Sequence, residues 1–487
     1  MDKATIGIIV GLGGAALTLL GILAAWVWQS RRPERTAHAE TGGVVIGDGA
    51  AVGGSVVTGD GAVVVDRSSP GSTIIVQPGG TANVYLDGLP QARGEVHDHF
   101  EEGRRLQDAE RHGQAIDEFL KAFAAAENDS QRCSLHILIG ISFAKLSELE
   151  EAEGHFRQAL AAARRARNRE GEAASLANLG ATYQTRGKLD KAQRHLQEAL
   201  TINEETGNRL GQAGALGNLG SVFLLRGELD KAEEHLKKAL AIAKEMGDKA
   251  GQANQLANLG LVYRHRGELD KAEEHQQRAL AIYKDLGKRL EEALSLGNLG
   301  LVYRHRGELD RAAEHHQKAL VIHEEIGNKL GQVNALTNLG NVYVDRGDLD
   351  NADERLKRAL AIAEELGIKL YQAHCLGNLG NVHDRRSDPD KAEEDYRKAL
   401  AIYEEAGHRV GQASVLCNLG VLAEERGEAQ KAVELLNRAN ALYQAIGAGG
   451  EGPLAVREAL ERLGAGAAGQ PTVKPRTSRK RRPRKKP

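Results

Sequence analysis

The tripeptide Asn-Leu-Gly returns at a fixed step of 40 residues, opening at Asn178, Asn218, Asn258, Asn298, Asn338, Asn378 and Asn418. Two alanine ladders keep that step, Ala192 through Ala432 and Ala199 through Ala439. Two degenerate units come first. Gly103, Ala115 and Ala122 mark one, and Gly140, Ala152 and Ala159 mark the other 37 residues later. About nine units therefore fill residues 96 to 447. A unit this small cannot bury its own apolar face, so neighbours must stack into a solenoid. Both Trp residues, Trp26 and Trp28, precede the repeats, which excludes a propeller of Trp-Asp blades.

Each unit reads as two helices. In the first, helix A, Leu256, Leu259, Val262 and Tyr263 fall at helical spacing. It stops at Arg266-Gly267, a cation in the last turn followed by a residue that tolerates the left-handed conformation. Helix B is expected to open with Asp270 as N-cap and Glu273 closing a capping box. Leu280 and Ile282 add to its apolar surface, and small Gly260, Ala272 and Ala279 let helices approach closely. With Gly260, Tyr263, Gly267, Ala272 and Ala279 at these offsets, the chain resembles the tetratricopeptide repeat family over roughly 72% of its length. The 40-residue step resembles kinesin light chain and Pins/LGN adaptors in particular. The resemblance implies an all-α superhelical solenoid of about nine helix-turn-helix units.

The resemblance also implies a site, the concave helix-A face, which in that family holds an extended peptide or helix. Carried over, Asn178, Asn218, Asn258, Asn298, Asn338, Asn378 and Asn418 form a ladder of seven amides facing the ligand. An amide offers both donor and acceptor to a peptide backbone. The competing reading is that these residues tie one repeat to the next. The residue before each Asn is small, from Ala177 to Cys417, which leaves room for a ligand backbone. Specificity falls to positions that vary. Six residues beyond the Asn stand Gln184, Leu224, Arg264, Arg304, Val344, Asp384 and Glu424. The groove is then basic in the middle and mainly acidic at its carboxyl-terminal end. Arg264 and Arg304 would meet an acidic segment of the partner, unless they are simply solvated helix ends. Arg186 to Arg426, also 40 apart, read as structural helix C-termini. His155, His195, His235, His275 and His315 repeat too, but equivalent positions in stacked helices lie about 8–10 Å apart, too far to share one metal ion. No catalytic, cofactor-binding or metal-ligating set is expected.

The two ends differ from the body. Residues 1–3 form a flank, and Ala4 to Trp28 is a run of 25 residues without a charge. As a helix that run spans about 38 Å, enough for a hydrocarbon core of about 30 Å. Trp26 and Trp28 suit an interface, and Arg31, Arg32 and Arg35 place the body in the cytoplasm. Thr36-Ala37-His38-Ala39 offers a cleavage site, but three Arg separate it from an apolar run too long for a signal peptide. Gly7 and Gly11 form a GxxxG pair that would join two such helices in a homodimer. The composition points to a bacterial inner membrane. A linker at 29–43 leads to a glycine-rich β segment at 44–90, where Val44–Ala50 and Val56–Ala62 repeat each other. The solenoid covers 91–450 and a capping helix 451–464.

Residues 465–487 form a basic tail. Nine Lys or Arg fall within 470–487, so the rest of the chain sums to −11. The tail suits anionic lipid, nucleic acid or solubility alone. The sequence thus describes a membrane-anchored scaffold or adaptor that binds a protein or peptide. The alternative is a nucleic-acid-linked regulator acting through the tail. Salt separates the two, because phosphate binding falls steeply with ionic strength.

Overall fold

The computed structural model describes residues 53–57, 63–66, 94–109, 111–446 and 451–464. Its helices pair along the chain. The early pairs are α1 (Glu95–Asp108) with α2 (His112–Ala124), α3 (Asp129–Lys145) with α4 (Leu149–Ala166), and α5 (Arg169–Thr185) with α6 (Leu189–Glu205). The middle pairs are α7 (Arg209–Leu225) with α8 (Leu229–Glu245), α9 (Lys249–His265) with α10 (Leu269–Asp285), and α11 (Arg289–His305) with α12 (Leu309–Glu325). The last are α13 (Lys329–Arg346) with α14 (Leu349–Glu365), α15 (Lys369–Arg385) with α16 (Pro389–Glu405), and α17 (Arg409–Glu425) with α18 (Ala429–Ala445). A single helix, α19 (Glu451–Arg462), follows. The odd-numbered helices α1–α17 are the A helices and the even-numbered ones the B helices.

Within the glycine-rich segment, β1 (Gly53–Val57) and β2 (Val63–Asp66) pair antiparallel, with Val57 opposite Val63. The apolar run 4–28, with Gly7 and Gly11, and the basic tail lie outside the described residues. Among the described residues no helix is long and apolar enough to cross a membrane.

Side-chain caps are commoner on helix A than on helix B, where Asp348 and Asp388 cap α14 and α16 at 3.3 and 3.4 Å. Asn168, Asn208 and Asn328 accept from the backbone N–H three residues on, at 2.7, 2.9 and 2.9 Å, and Asp248 does the same at 2.9 Å. His408 substitutes a ring nitrogen, Nδ1, at 3.0 Å from the Gly411 nitrogen. The capping box expected at Asp270 and Glu273 does not form. Glu268 holds the N-cap position of α10 without a side-chain bond, and Asp270 lies inside the first turn. Helix A stops as its Arg-Gly pair foretells. Gly187, Gly227, Gly267, Gly307, Gly347 and Gly427 all have φ between 68° and 80°. The Gly267 and Glu268 nitrogens donate to the Arg264 and Tyr263 carbonyls at 3.0 and 2.9 Å, closing the last turn. Ser387 holds the same place after α15 with φ 61°. Left-handed backbone costs a residue with a Cβ roughly 1 kcal/mol. Ser387→Gly is therefore expected to stabilise the array by about 0.5 kcal/mol, allowing for the greater unfolded-state freedom of glycine. A small rise in the urea midpoint checks this; a fall would sink it.

The alanine ladders fill the helix-to-helix contacts. Ala192, Ala232, Ala272, Ala312, Ala352, Ala392 and Ala432 are all 0% exposed. The glycine of each Asn-Leu-Gly lies under a side chain of its own helix B, as Gly180 does under Leu196 and Gly380 under Tyr396. One apolar cluster runs without a break from Cys133 on α3 to Val302 on α11. Val410 of α17 packs against it too, so the array turns back toward its own earlier repeats. Beyond Val302 the core divides into smaller clusters. Val456, Ala459 and Leu460 of α19 close the last one, against Leu436, Ala439 and Tyr443.

Candidate interaction face

Helix A is enclosed to an unusual degree for an amphipathic helix. α7 is buried from Gln212 through Leu225, and α9 from Ala253 through Arg264. Asn178, Asn218, Asn258, Asn298 and Asn338 are 4%, 2%, 2%, 1% and 3% exposed, whereas Asn378 and Asn418 are half-buried. Some of these amides join repeats. Asn258 Nδ2 donates to Ser221 Oγ of the previous helix A at 3.2 Å, and Asn418 Nδ2 to Asn381 Oδ1 at 3.0 Å. Asn178 Nδ2 turns back to the Ala174 carbonyl at 2.9 Å. The small residue before each Asn has two uses. At Gly217 an added Cβ would meet Gln255 of the next helix A at 2.8 Å, so the neighbouring repeat takes that space. At Gly297 nothing lies within 4 Å.

Several buried polar atoms on helix A have no hydrogen-bond partner: Asn178 Oδ1, both amide atoms of Gln184, Asn218 Nδ2, Gln255 Oε1, Ser295 Oγ and Asn338 Oδ1. They come from α5, α7, α9, α11 and α13 in turn. Such atoms are rare in folded proteins because each forfeits its hydration. Gln184 heads the variable series six residues beyond the asparagines, whereas Gln255 and Ser295 belong to no ladder that periodicity flags.

The varying positions meet each other across repeats. Arg264 is only 3% exposed. Arg304 Nε donates to Asp345 Oδ2 on α13 at 2.6 Å. Part of the positive charge read in the middle of the groove is thus neutralised by an acid of the next repeat. Burial raises the Asp384 carboxyl above its ordinary range.

Two further ladders bind the array. Each arginine of the Arg186-to-Arg426 series reaches an acid 36 residues earlier. Arg266 meets Asp230 and Arg306 meets Asp270, both at 2.5 Å, and Arg426 meets Asp390 at 2.7 Å. Asp270 and Glu273, expected to cap α10, instead hold Arg306 of the next repeat, and Glu273 also accepts from Tyr303 Oη at 2.6 Å. The histidine series packs on aromatic rings of helix A twelve residues earlier. Ring centroids are 4.8 Å apart for both Tyr263–His275 and Tyr303–His315. Lys271 adds its ammonium over Tyr263 at 5.3 Å. Among the described residues no group of three or more His, Cys, Asp or Glu side chains is placed to hold a metal ion.

The sequence profile of the tetratricopeptide repeat matches seven overlapping stretches: 130–205, 172–245, 211–285, 252–325, 291–365, 331–405 and 371–445. The chain belongs to the tetratricopeptide repeat family. No curated protein matches it significantly. Solved structures do. A Rap protein complexed with competence and sporulation factor is 16% identical, with TM-score 0.54, over 72% of this chain and 98% of that one. The apo quorum sensor NprR from B. thuringiensis is 13% identical, also with TM-score 0.54 and the same coverage. The kinesin light chain repeats of Podospora anserina are 19% identical, with TM-score 0.35, over 39% of this chain and 94% of that one.

Proposed function

We propose that this tetratricopeptide array is a non-catalytic scaffold that binds a partner peptide or protein segment along its helix-A face. The observation that carries the reading is the line of buried, unpartnered amide and hydroxyl atoms on α5, α7, α9, α11 and α13. A peptide backbone supplies both the donors and the acceptors they lack. Because five of the seven ladder asparagines are nearly inaccessible, binding requires the array to open.

The test is a paired capture with the full chain, wild type against Asn178→Ala/Asn218→Ala/Asn338→Ala. Each of these amides has an atom without a partner, and the urea midpoint of the variant establishes that it is folded before capture. At about 1 kcal/mol per bond to the ligand, the triple variant is expected to lose about 100-fold in affinity. A partner held equally by both would move the site off this face.

We further propose that residues 4–28 anchor the scaffold in a bacterial inner membrane with the repeats in the cytoplasm. The uncharged run, its two Trp and the arginines that follow support this. A topology reporter fused after Pro487 should be active only if it folds on the cytoplasmic side.

A further inference from the structure

α12 carries two histidines where its counterparts carry other residues. His316 lies under Gly300, at the place that Leu196, Leu236, Leu356 and Leu436 take under their glycines. It is 0% exposed, and neither ring nitrogen has a hydrogen-bond partner. His323, seven residues on, is 4% exposed and packs on Gly331 at the start of α13, with its Nδ1 unpartnered. Ala243 and Ala363 occupy that place in α8 and α14.

The pair lies where the large early cluster gives way to the later ones. α11 gives Leu290, Leu294 and Val302 to the continuous cluster and α12 gives Leu320 to the next large one, and two small clusters lie between them. One is Ala293, Leu296, Ala319 and Ile322; the other is Leu299, Tyr303, Ala312 and Val342.

We infer that the α11–α12 pair is an acid-operated joint, at which the array parts as pH falls and uncovers Asn298 and Asn338. The uncovering of those amides matters to binding only through the helix-A reading above.

Both imidazoles are neutral in the closed state. Burial holds His316 down to about 3, and the charged groups bearing on it, Arg304 of α11 and His315 of its own helix, push the same way. Arg304 is itself paired with Asp345 of α13. His323 is held at about 4 by burial. Around its end of the pair, Arg289 is engaged with Glu292 and Glu325, Lys329 with Glu365, and Arg358 with Glu324. The sign follows. An opened joint exposes two imidazoles of ordinary affinity near 6.5, which bind protons that the closed joint refuses. Above about 6.5 opening is independent of pH. Below it, each histidine multiplies the opened fraction by about tenfold per pH unit, hence about 100-fold for both.

Hydrogen exchange of the full chain between pH 7 and 5, corrected for intrinsic exchange, reads this directly and needs no ligand. It therefore stands or falls apart from the peptide-binding reading. The opening constant of α11 and α12 amides should rise about 100-fold per unit below about pH 6, while α7 and α8, with Leu236 and Ala243 at the equivalent places, stay flat. His316→Leu/His323→Ala installs the residues that α14 carries at these places and should abolish the slope. Either substitution alone should reduce it to about tenfold per unit. Equal protection of α11–α12 and α7–α8 would overturn the proposal. So would a slope that survives the double variant, or a loss confined to α15–α17, where His374 and His408 lie with ring centroids 6.1 Å apart.

Discussion

Gly220→Ala is expected to destabilise the array by about 2–3 kcal/mol. The direction runs against local propensity, since alanine favours a helix over glycine by about 1 kcal/mol. Packing decides the sign. An added Cβ would lie 2.6 and 2.8 Å from Leu236 Cγ and Cδ2 and 3.3 Å from the Ala232 carbonyl. Leu236 is fully buried in the continuous cluster, and the carbonyl belongs to the α8 backbone, so neither can yield without moving helix B. Gly297→Ala is the matched opposite. Its Cβ would meet nothing within 4 Å, so propensity alone should add about 0.5–1 kcal/mol. Urea midpoints of the two variants should shift in opposite directions. If both rose, the close approach of helices A and B at Asn-Leu-Gly would be mistaken.

Glu233→Ala is expected to cost about 2 kcal/mol, because one buried carboxylate serves three donors. Lys237 Nζ lies 2.6 Å and Tyr263 Oη 2.8 Å from its Oε1, and Arg266 of the next repeat holds Oε2. Only 17% of the side chain is exposed. The same carboxylate predicts a pH dependence. Burial by itself would raise it, but the bonds from Lys237, Tyr263 and Arg266 outweigh that and hold it down to about 2. In the unfolded chain it titrates near 4.3. Its contribution is therefore complete above about 4.5 and drains away as pH falls toward 2, a change of about 2 kcal/mol after allowance for partial exposure. Unfolding at pH 7 and pH 3 should show a smaller acid loss in Glu233→Gln than in the wild type. An identical loss would mean that the clasp between repeats does not depend on this charge.

The misreading of Asp270 and Glu273 has a physical origin. An acid followed three residues later by Glu is a local pattern, and it satisfies a helix start on paper. In the structure both acids turn outward to Arg306 and Tyr303, 30 to 36 residues further along. A strong cationic partner competes better for a carboxylate than a backbone N–H does. The true caps, Asn168, Asn208 and Asn328, stand in the loop before helix A, where they were hidden behind the more regular ladders. The histidine series reads in the sequence only as a 40-residue ladder. Their actual partners, the aromatic rings twelve residues earlier, needed the A–B packing angle to be seen.

By itself the sequence determined the repeat, the helix pair within it, the left-handed stop at each Arg-Gly and the small residues between helices. All of these are written in spacings of a few residues or in strict 40-residue periodicity, and helix geometry converts such spacings into faces. Only the tertiary structure decided which atoms face one another across repeats. It set Arg304 against Asp345, buried most of the asparagine ladder, brought Val410 back to the early cluster and left both ring nitrogens of His316 and Nδ1 of His323 without partners. Those outcomes depend on the rotation from one pair to the next. That rotation is summed over many weak packing contacts, and no short stretch of sequence contains it.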